Sequence, residues 1–181
     1  MVVDDESDVA DAYALRLEDR YETRVAYGGQ EALDRFDDAV DAVVLDRRMP
    51  GRHGDEVLAA IRERGYGVPV IMATAVDPDL NILEMDFDDY LCKPIFSETL
   101  VETVAKHLET PVRRNETVAE FISLVSKIDV LETELTPAEL AESDEYDRAK
   151  ARAEELGPVL RDRVENFDEL LETYRDIERE S

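Results

Sequence analysis

Four places in the first hundred residues of this chain carry side chains that could together handle a phosphoryl group: Asp4-Asp5, Asp46, Thr74 and Lys93-Pro94. Each ends a short apolar run that reads as a β-strand, and in an open parallel α/β sheet the strand ends line the crevice where ligands bind. Three carboxylates, a hydroxyl and an ammonium meeting there supply a nucleophile, hard oxygen ligands for Mg²⁺ and donors for a transferring phosphoryl group.

The surrounding residues separate these positions from ordinary surface acids. Asp-Asp pairs also stand at 37–38 and 88–89, so the first pair is singled out only by the strand stub before it and the matching strand end at Asp46. Asp46 sits in Val43-Val44-Leu45-Asp46-Arg47-Arg48-Met49-Pro50-Gly51, followed by Gly54-Asp55-Glu56-Val57. Thr74 closes Val70-Ile71-Met72-Ala73, and Lys93-Pro94 closes a short strand that follows Asp88-Asp89-Tyr90.

With these motifs the first 110 residues resemble the receiver domain of two-component response regulators. The resemblance implies that Asp46 is phosphorylated by a histidine kinase. It also implies that Asp5 ligates Mg²⁺ directly, that Asp4 acts through water and that the backbone carbonyl of Arg48 is a third protein ligand. Lys93 and Thr74 would meet the phosphoryl oxygens, and Tyr90 would be the switch aromatic that follows Thr74 inward. Arg48 and Val76 fall where the family tunes acyl-phosphate lifetime. The chain departs from the family in a short first strand, in Met85-Asp86-Phe87 at the turn before the fifth strand, and in Asp77–Met85, which leaves room for about two helical turns as a fourth helix.

The elements needed to position the site are legible as alternating periodicities. Val2–Val3, Thr23–Ala26, Ala42–Leu45, Val68–Ala73 and Tyr90–Cys92 read as strands. Between them, helices carry Val9, Tyr13 and Leu17 (with Ser7 as N-cap), then Ala32, Leu33 and Phe36, then Val57, Leu58 and Ile61. A helix from Ser97 through Leu108 closes the unit. This order predicts an α/β fold, a doubly wound five-stranded parallel sheet of the flavodoxin-like receiver type. A linker is expected at 111–115, within Glu109–Asn115, around Pro111 and Arg113-Arg114.

Beyond it the strand signals stop, and a small all-α hairpin or bundle is expected over 116–181. Val118, Phe121, Val125, Ile128 and Leu135 mark a helix over Glu116–Leu135. Thr136-Pro137-Ala138-Glu139 is a helix start, Gly157-Pro158 a stop, and Leu160, Val164, Phe167, Leu171 and Tyr174 a last helix. The two strong stripes are expected to pack antiparallel, within one chain or across a dimer, as a tethered module. This third of the chain resembles the HalX domain that follows receivers in halophilic archaea, for which DNA binding is one implied output.

Composition bounds the rest. Asp and Glu number 46 against 21 Lys and Arg, a net charge of −25. The excess is spread along the chain, as on a surface adapted to molar salt, where screening removes most self-repulsion. No apolar run of 18 residues exists, so no membrane partner is expected, and the N-terminus lacks signal-peptide character, which predicts a cytoplasmic protein. One cysteine, Cys92, excludes an intrachain disulfide, and it reads as a buried small hydrophobe; His53 and His107 read as solvent-facing or dipole-compensating residues.

Three functions fit unequally. The first is a phosphoacceptor switch, not an enzyme, signalling to a protein partner or forming a homodimer through the fourth-helix, fifth-strand, fifth-helix face or the C-terminal helices. The second is a phosphorylation-controlled DNA-binding regulator, against which residues 112–181 hold 20 acids and 10 bases. A Mg²⁺-dependent aspartyl phosphatase is the third; it needs an acid two residues after the nucleophile, where this chain has Arg48. A nucleotide switch fails for lack of a G-x-x-x-x-G-K loop.

Overall fold

The computed structural model describes residues 1–109, 116–161, 167 and 171. Five parallel strands form one sheet in the order β2-β1-β3-β4-β5: β1 Val2–Val3, β2 Val25–Ala26, β3 Val43–Leu45, β4 Val70–Thr74 and β5 Asp89–Cys92. Residues of the central strands alternate between two apolar layers, as a period of two dictates. Val3, Val43, Leu45, Val70, Met72 and Tyr90 face one layer, and Val2, Val44, Ile71, Ala73 and Leu91 the other. Burial on both faces explains why these strands read as unbroken apolar runs.

On the second face lie α1 (Ser7–Leu17) and α4 (Ser97–Glu109), through Ala10, Tyr13, Ala14, Leu17, Leu100 and Val104. The first face is covered by α2 (Gly29–Arg35) and α3 (Gly54–Glu63). The expected fourth helix is reduced to a single 3₁₀ stretch, Leu80–Glu84, which buries Ile82. In its neighbourhood the face is completed from further along the chain. The helix α5 (Glu116–Glu134) lies against β5 and the 3₁₀ stretch, and its Val130 and Leu131 enter the same layer as Met72 and Tyr90. Leu140 of α6 (Pro137–Ala141) and Tyr146 of α7 (Asp144–Arg161) join them. The other half of α5 packs on α7 in a separate cluster of Val118, Phe121, Ile122, Leu156, Leu160 and Phe167.

The expected apolar stripe on α5 therefore serves two cores: Phe121 and Val125 join Phe167 and Leu171 as expected, while Ile128 and Leu135 turn to the sheet layer. The linker expected at 111–115 lies outside the described residues, as do Val164 and Tyr174. Pro137 opens α6 behind a Thr136–Glu139 capping box, as the motif predicts. Gly157-Pro158 does not stop α7, which runs on to Arg161. A proline costs a helix one hydrogen bond; here Leu156 and Leu160 are anchored in the cluster on either side, and Gly157 lies under the Phe121 ring. Ser7 is the first residue of α1 and not its cap; Glu6 holds the cap position in extended backbone, and its N–H donates to the Asp4 carboxylate at 3.0 Å.

Candidate functional site

Register brings the strand-end residues into line. Val3 pairs with Leu45, and the Asp46 N–H donates to the Val3 carbonyl at 2.8 Å, so Asp4 and Asp46 leave adjacent strands side by side. Thr74 pairs with Cys92, and the Lys93 N–H donates to the Thr74 carbonyl at 2.8 Å, which sets Lys93 one residue beyond. The Lys93–Pro94 peptide is cis.

Lys93 joins the two halves. Its Nζ donates to Asp4 Oδ2 at 2.7 Å and to Asp46 Oδ1 at 2.8 Å. Asp4 is 2% and Asp46 5% exposed, and two buried carboxylates this close need a cation between them. The second oxygen of each is held by backbone: Asp4 Oδ1 accepts from the Glu6 N–H at 3.0 Å, and Asp46 Oδ2 from the Arg48 N–H at 2.8 Å. Burial raises the Asp46 pKa, against the opposing pull of Lys93. Burial also works against a charged Lys93, but its hydrogen bonds to Asp4 and Asp46 outweigh this and hold its pKa above the ordinary value. Lys93 thus carries the positive charge that sits between the two buried carboxylates.

The loop that carries Asp46 is braced by α3. A Cβ on Gly54 would stand 2.2 Å from the Asp46 carbonyl oxygen, and the Gly54 N–H donates to the Arg47 carbonyl at 2.8 Å. Only glycine permits that approach. Gly29 meets the Arg52 carbonyl in the same way, at 2.5 Å. His53 precedes α3 as its N-cap residue, and its N–H donates to Glu56 at 3.0 Å.

The remaining predicted residues fall as follows. Asp5 is exposed beside the crevice, and Arg48 is exposed beyond Asp46. Thr74 is buried, and its Oγ1 accepts from the Val76 N–H at 3.3 Å. Tyr90 is 1% exposed and its hydroxyl donates to the Val76 carbonyl at 2.7 Å; burial pushes its pKa up to about 12. Arg47, which sequence reasoning did not single out, pairs with Asp55 at 3.1 Å while its guanidinium lies near the Tyr90 hydroxyl.

Two expectations are corrected. Cys92 is exposed, because it ends the edge strand β5. His107 is buried, not solvent-facing: its Nε2 lies 2.9 Å from Asp89 Oδ2, an oxygen that also accepts from Lys106 Nζ at 3.3 Å. Asp89 is itself 2% exposed, and its Oδ1 accepts from Ser126 Oγ of α5 at 2.7 Å. The sequence signal for this cluster was a charge within β5 facing a Lys-His pair on α4; it was legible only as part of a surface acid pair.

A family model described as the response regulator receiver domain matches residues 1–105, and a HalX domain model matches residues 113–179. A Haloferax volcanii protein named "Putative transcriptional regulator" is 43% identical over 99% of this chain, which spans 32% of that protein's length. Among solved structures, the response regulator protein TrrA from Thermotoga maritima, in complex with Mg²⁺-BeF, is 36% identical with a TM-score of 0.52. That match covers 59% of this chain and 96% of the other. A receiver domain protein from Methanospirillum hungatei is 29% identical with a TM-score of 0.55, over 64% and 95%. The sheet order, the strand-end acids bridged by a lysine and these matches lead to one conclusion: the chain belongs to the response regulator receiver family, and a HalX domain follows its receiver.

Proposed function

We propose that this chain is the response regulator of a two-component phosphorelay, with Asp46 accepting the phosphoryl group of a histidine kinase. The observation that carries the reading is the double hydrogen bond from Lys93 to Asp4 and Asp46. Asp46 is the nucleophile, on the loop that α3 braces. As negative charge arrives on the phosphoryl oxygens, Lys93 turns part of its bonding from the carboxylates to them, and the Thr74 hydroxyl donates from β4. Positioned donors of this kind supply most of the catalysis in phosphoryl transfer.

The donor set suits Mg²⁺. Among the described residues no three His, Cys, Asp or Glu side chains stand together as a ready cage, but Mg²⁺ needs only one or two carboxylates and keeps several waters. Asp5 and Asp46, the Arg48 carbonyl and Asp4 through water would hold it. The bound ion would offset the charge of the acids and of the phosphoryl oxygens.

The site is a switch and not an enzyme acting on an outside substrate, since Arg48 stands where a phosphatase needs its general acid. Output goes to a protein partner or a second copy of the chain; a dimer through the β5 face would require α5 to move. The DNA-binding alternative draws on the HalX resemblance and is consistent with the name of the Haloferax volcanii transcriptional regulator, of whose length this chain spans only a third. Against it, Arg148, Lys150 and Arg152 are already paired with Glu145, Glu132 and Glu120. A mobility-shift assay at molar salt decides between the outputs. We place the protein in the cytoplasm; among the described residues no helix is long and apolar enough to cross a membrane. The phosphoacceptor reading is tested with acetyl phosphate: labelling should require Mg²⁺ and vanish in Asp46→Asn, and label that persists in that variant would refute it.

A further inference from the structure

The reduced fourth helix leaves the β4–β5 end of the sheet to be covered by α5. That contact is anchored by polar groups as well as by Val130 and Leu131. Ser123 Oγ donates to the Phe87 carbonyl at 2.8 Å, Lys127 Nζ donates to the Met85 carbonyl and lies 4.9 Å from the Phe87 ring centroid, and Ser126 Oγ donates to Asp89. Asp89 also holds Lys106 and His107 of α4. One buried carboxylate thus ties α5 and α4 to β5, one residue before Tyr90.

The chain of contacts continues to the acceptor site. Tyr90 packs in the same layer as Val130, its hydroxyl fixes the Val76 carbonyl, and the Val76 N–H fixes the Thr74 hydroxyl oxygen. A cavity of about 130 Å³, lined by Tyr90, Lys93, Phe96, Thr99, Val130 and Thr133 among others, opens along the seam. Its lining joins the Lys93–Phe96 loop to Val130 and Thr133 of α5.

We propose that α5 is a built-in effector of the phosphoacceptor site, docked where a fourth helix would lie and latched by Ser126 to Asp89. While docked it keeps Tyr90 buried, and through Val76 it holds Thr74 ready for the phosphoryl oxygens. Preorganisation of this kind strengthens binding by removing the cost of ordering the site. Coupling between two sites is reciprocal, so phosphorylation of Asp46 tightens α5 on β5. The proposal rests on the phosphoacceptor reading and adds the output path: the signal passes through the α5 seam into α7.

The test uses the full chain and beryllofluoride with Mg²⁺ as the phosphoryl mimic. Ser126→Ala removes the latch, and Val130→Ala loosens the packing over Tyr90. In each variant the beryllofluoride midpoint should rise about fivefold or more, the lower range of measured allosteric couplings. In the wild type, beryllofluoride should slow amide exchange along residues 123–131. Unchanged midpoints in both variants, with exchange in α5 indifferent to the mimic, would overturn the proposal. If the wild type itself fails to bind beryllofluoride, the phosphoacceptor reading falls and this inference falls with it. Should one variant fail to fold, the other and the wild-type exchange measurement still decide.

Discussion

Gly54→Ala perturbs the support of the acceptor loop at one atom. The added Cβ would lie 2.2 Å from the Asp46 carbonyl oxygen and 2.9 Å from Arg47 Cα, where real Cβ atoms essentially never come under 3.0 Å. Both obstacles are backbone, so no side-chain rotation relieves them, and α3 and the loop must part by most of an ångström. Overpacking of this kind costs about 1–3 kcal/mol. The Gly54 N–H bond to Arg47, 2.8 Å long, would stretch past hydrogen-bond range and forfeit about 1 kcal/mol more. The variant should therefore lose about 2–4 kcal/mol in urea unfolding, at an unchanged slope. Asp46 rides on the displaced loop, and misplacement near 1 Å can cost about a hundredfold in rate, so acetyl phosphate labelling should slow by about one to two orders of magnitude. Gly67→Ala is the control: nothing lies within 4 Å of its Cβ, and it should be neutral or stabilising by about 0.4–1 kcal/mol. Wild-type stability and labelling rate in Gly54→Ala would refute the argument that α3 braces the acceptor.

Lys127 is buried, and that burial lowers its pKa to about 8, with Asp86 and Asp88 pulling the other way. Between pH ~8 and ~10.4 the unfolded chain binds the extra proton, so this group makes stability rise with pH there, by at most about 3 kcal/mol. Lys127→Met should lack that rise, and parallel wild-type and variant curves across the window would contradict it. Leu131→Ala, in the sheet layer, should lower the melting temperature of the receiver sheet through a loss of about 2–5 kcal/mol. Phe167→Ala, in the separate α5–α7 cluster, should leave the sheet transition in place; if both shift it equally, the two cores act as one. Dilution of KCl from molar to ~0.1 M lengthens screening from ~3 to ~10 Å and should lower the melting temperature of a chain of net charge −25. A flat or rising value would assign the acid surface another role.

The sheet and the strand-end set were legible because each strand is short, buried on both faces and closed by a polar residue that has no place in a core. Asp46 and Lys93 could be read from local motif alone, since register then brings them together without further information. The seam of α5 was not legible in this way. Val130 and Leu131 carry the same apolar signal as Val118 and Phe121, and periodicity tells which residues are buried but not against what. The weakness of the 77–85 segment as a helix was the one visible sign that something else must cover the β4–β5 end. Asp89 and His107 were misread for a related reason: a buried charge is recognised by its partners, and Ser126 is 37 residues away. Pro158 shows packing overriding a local stop signal, as tertiary anchors on both sides outweigh one lost hydrogen bond.

Mapping the modified residue tests the central claim most directly. After treatment with acetyl phosphate and Mg²⁺, reductive trapping of the acyl phosphate followed by peptide sequencing should place the product at Asp46 alone. Lys93→Met should suppress it, because Lys93 is the cation held at 2.7 Å from Asp4 and 2.8 Å from Asp46. Trapped product at Asp4, Asp5 or an acid outside the crevice, with Asp46 unmodified, would contradict the account.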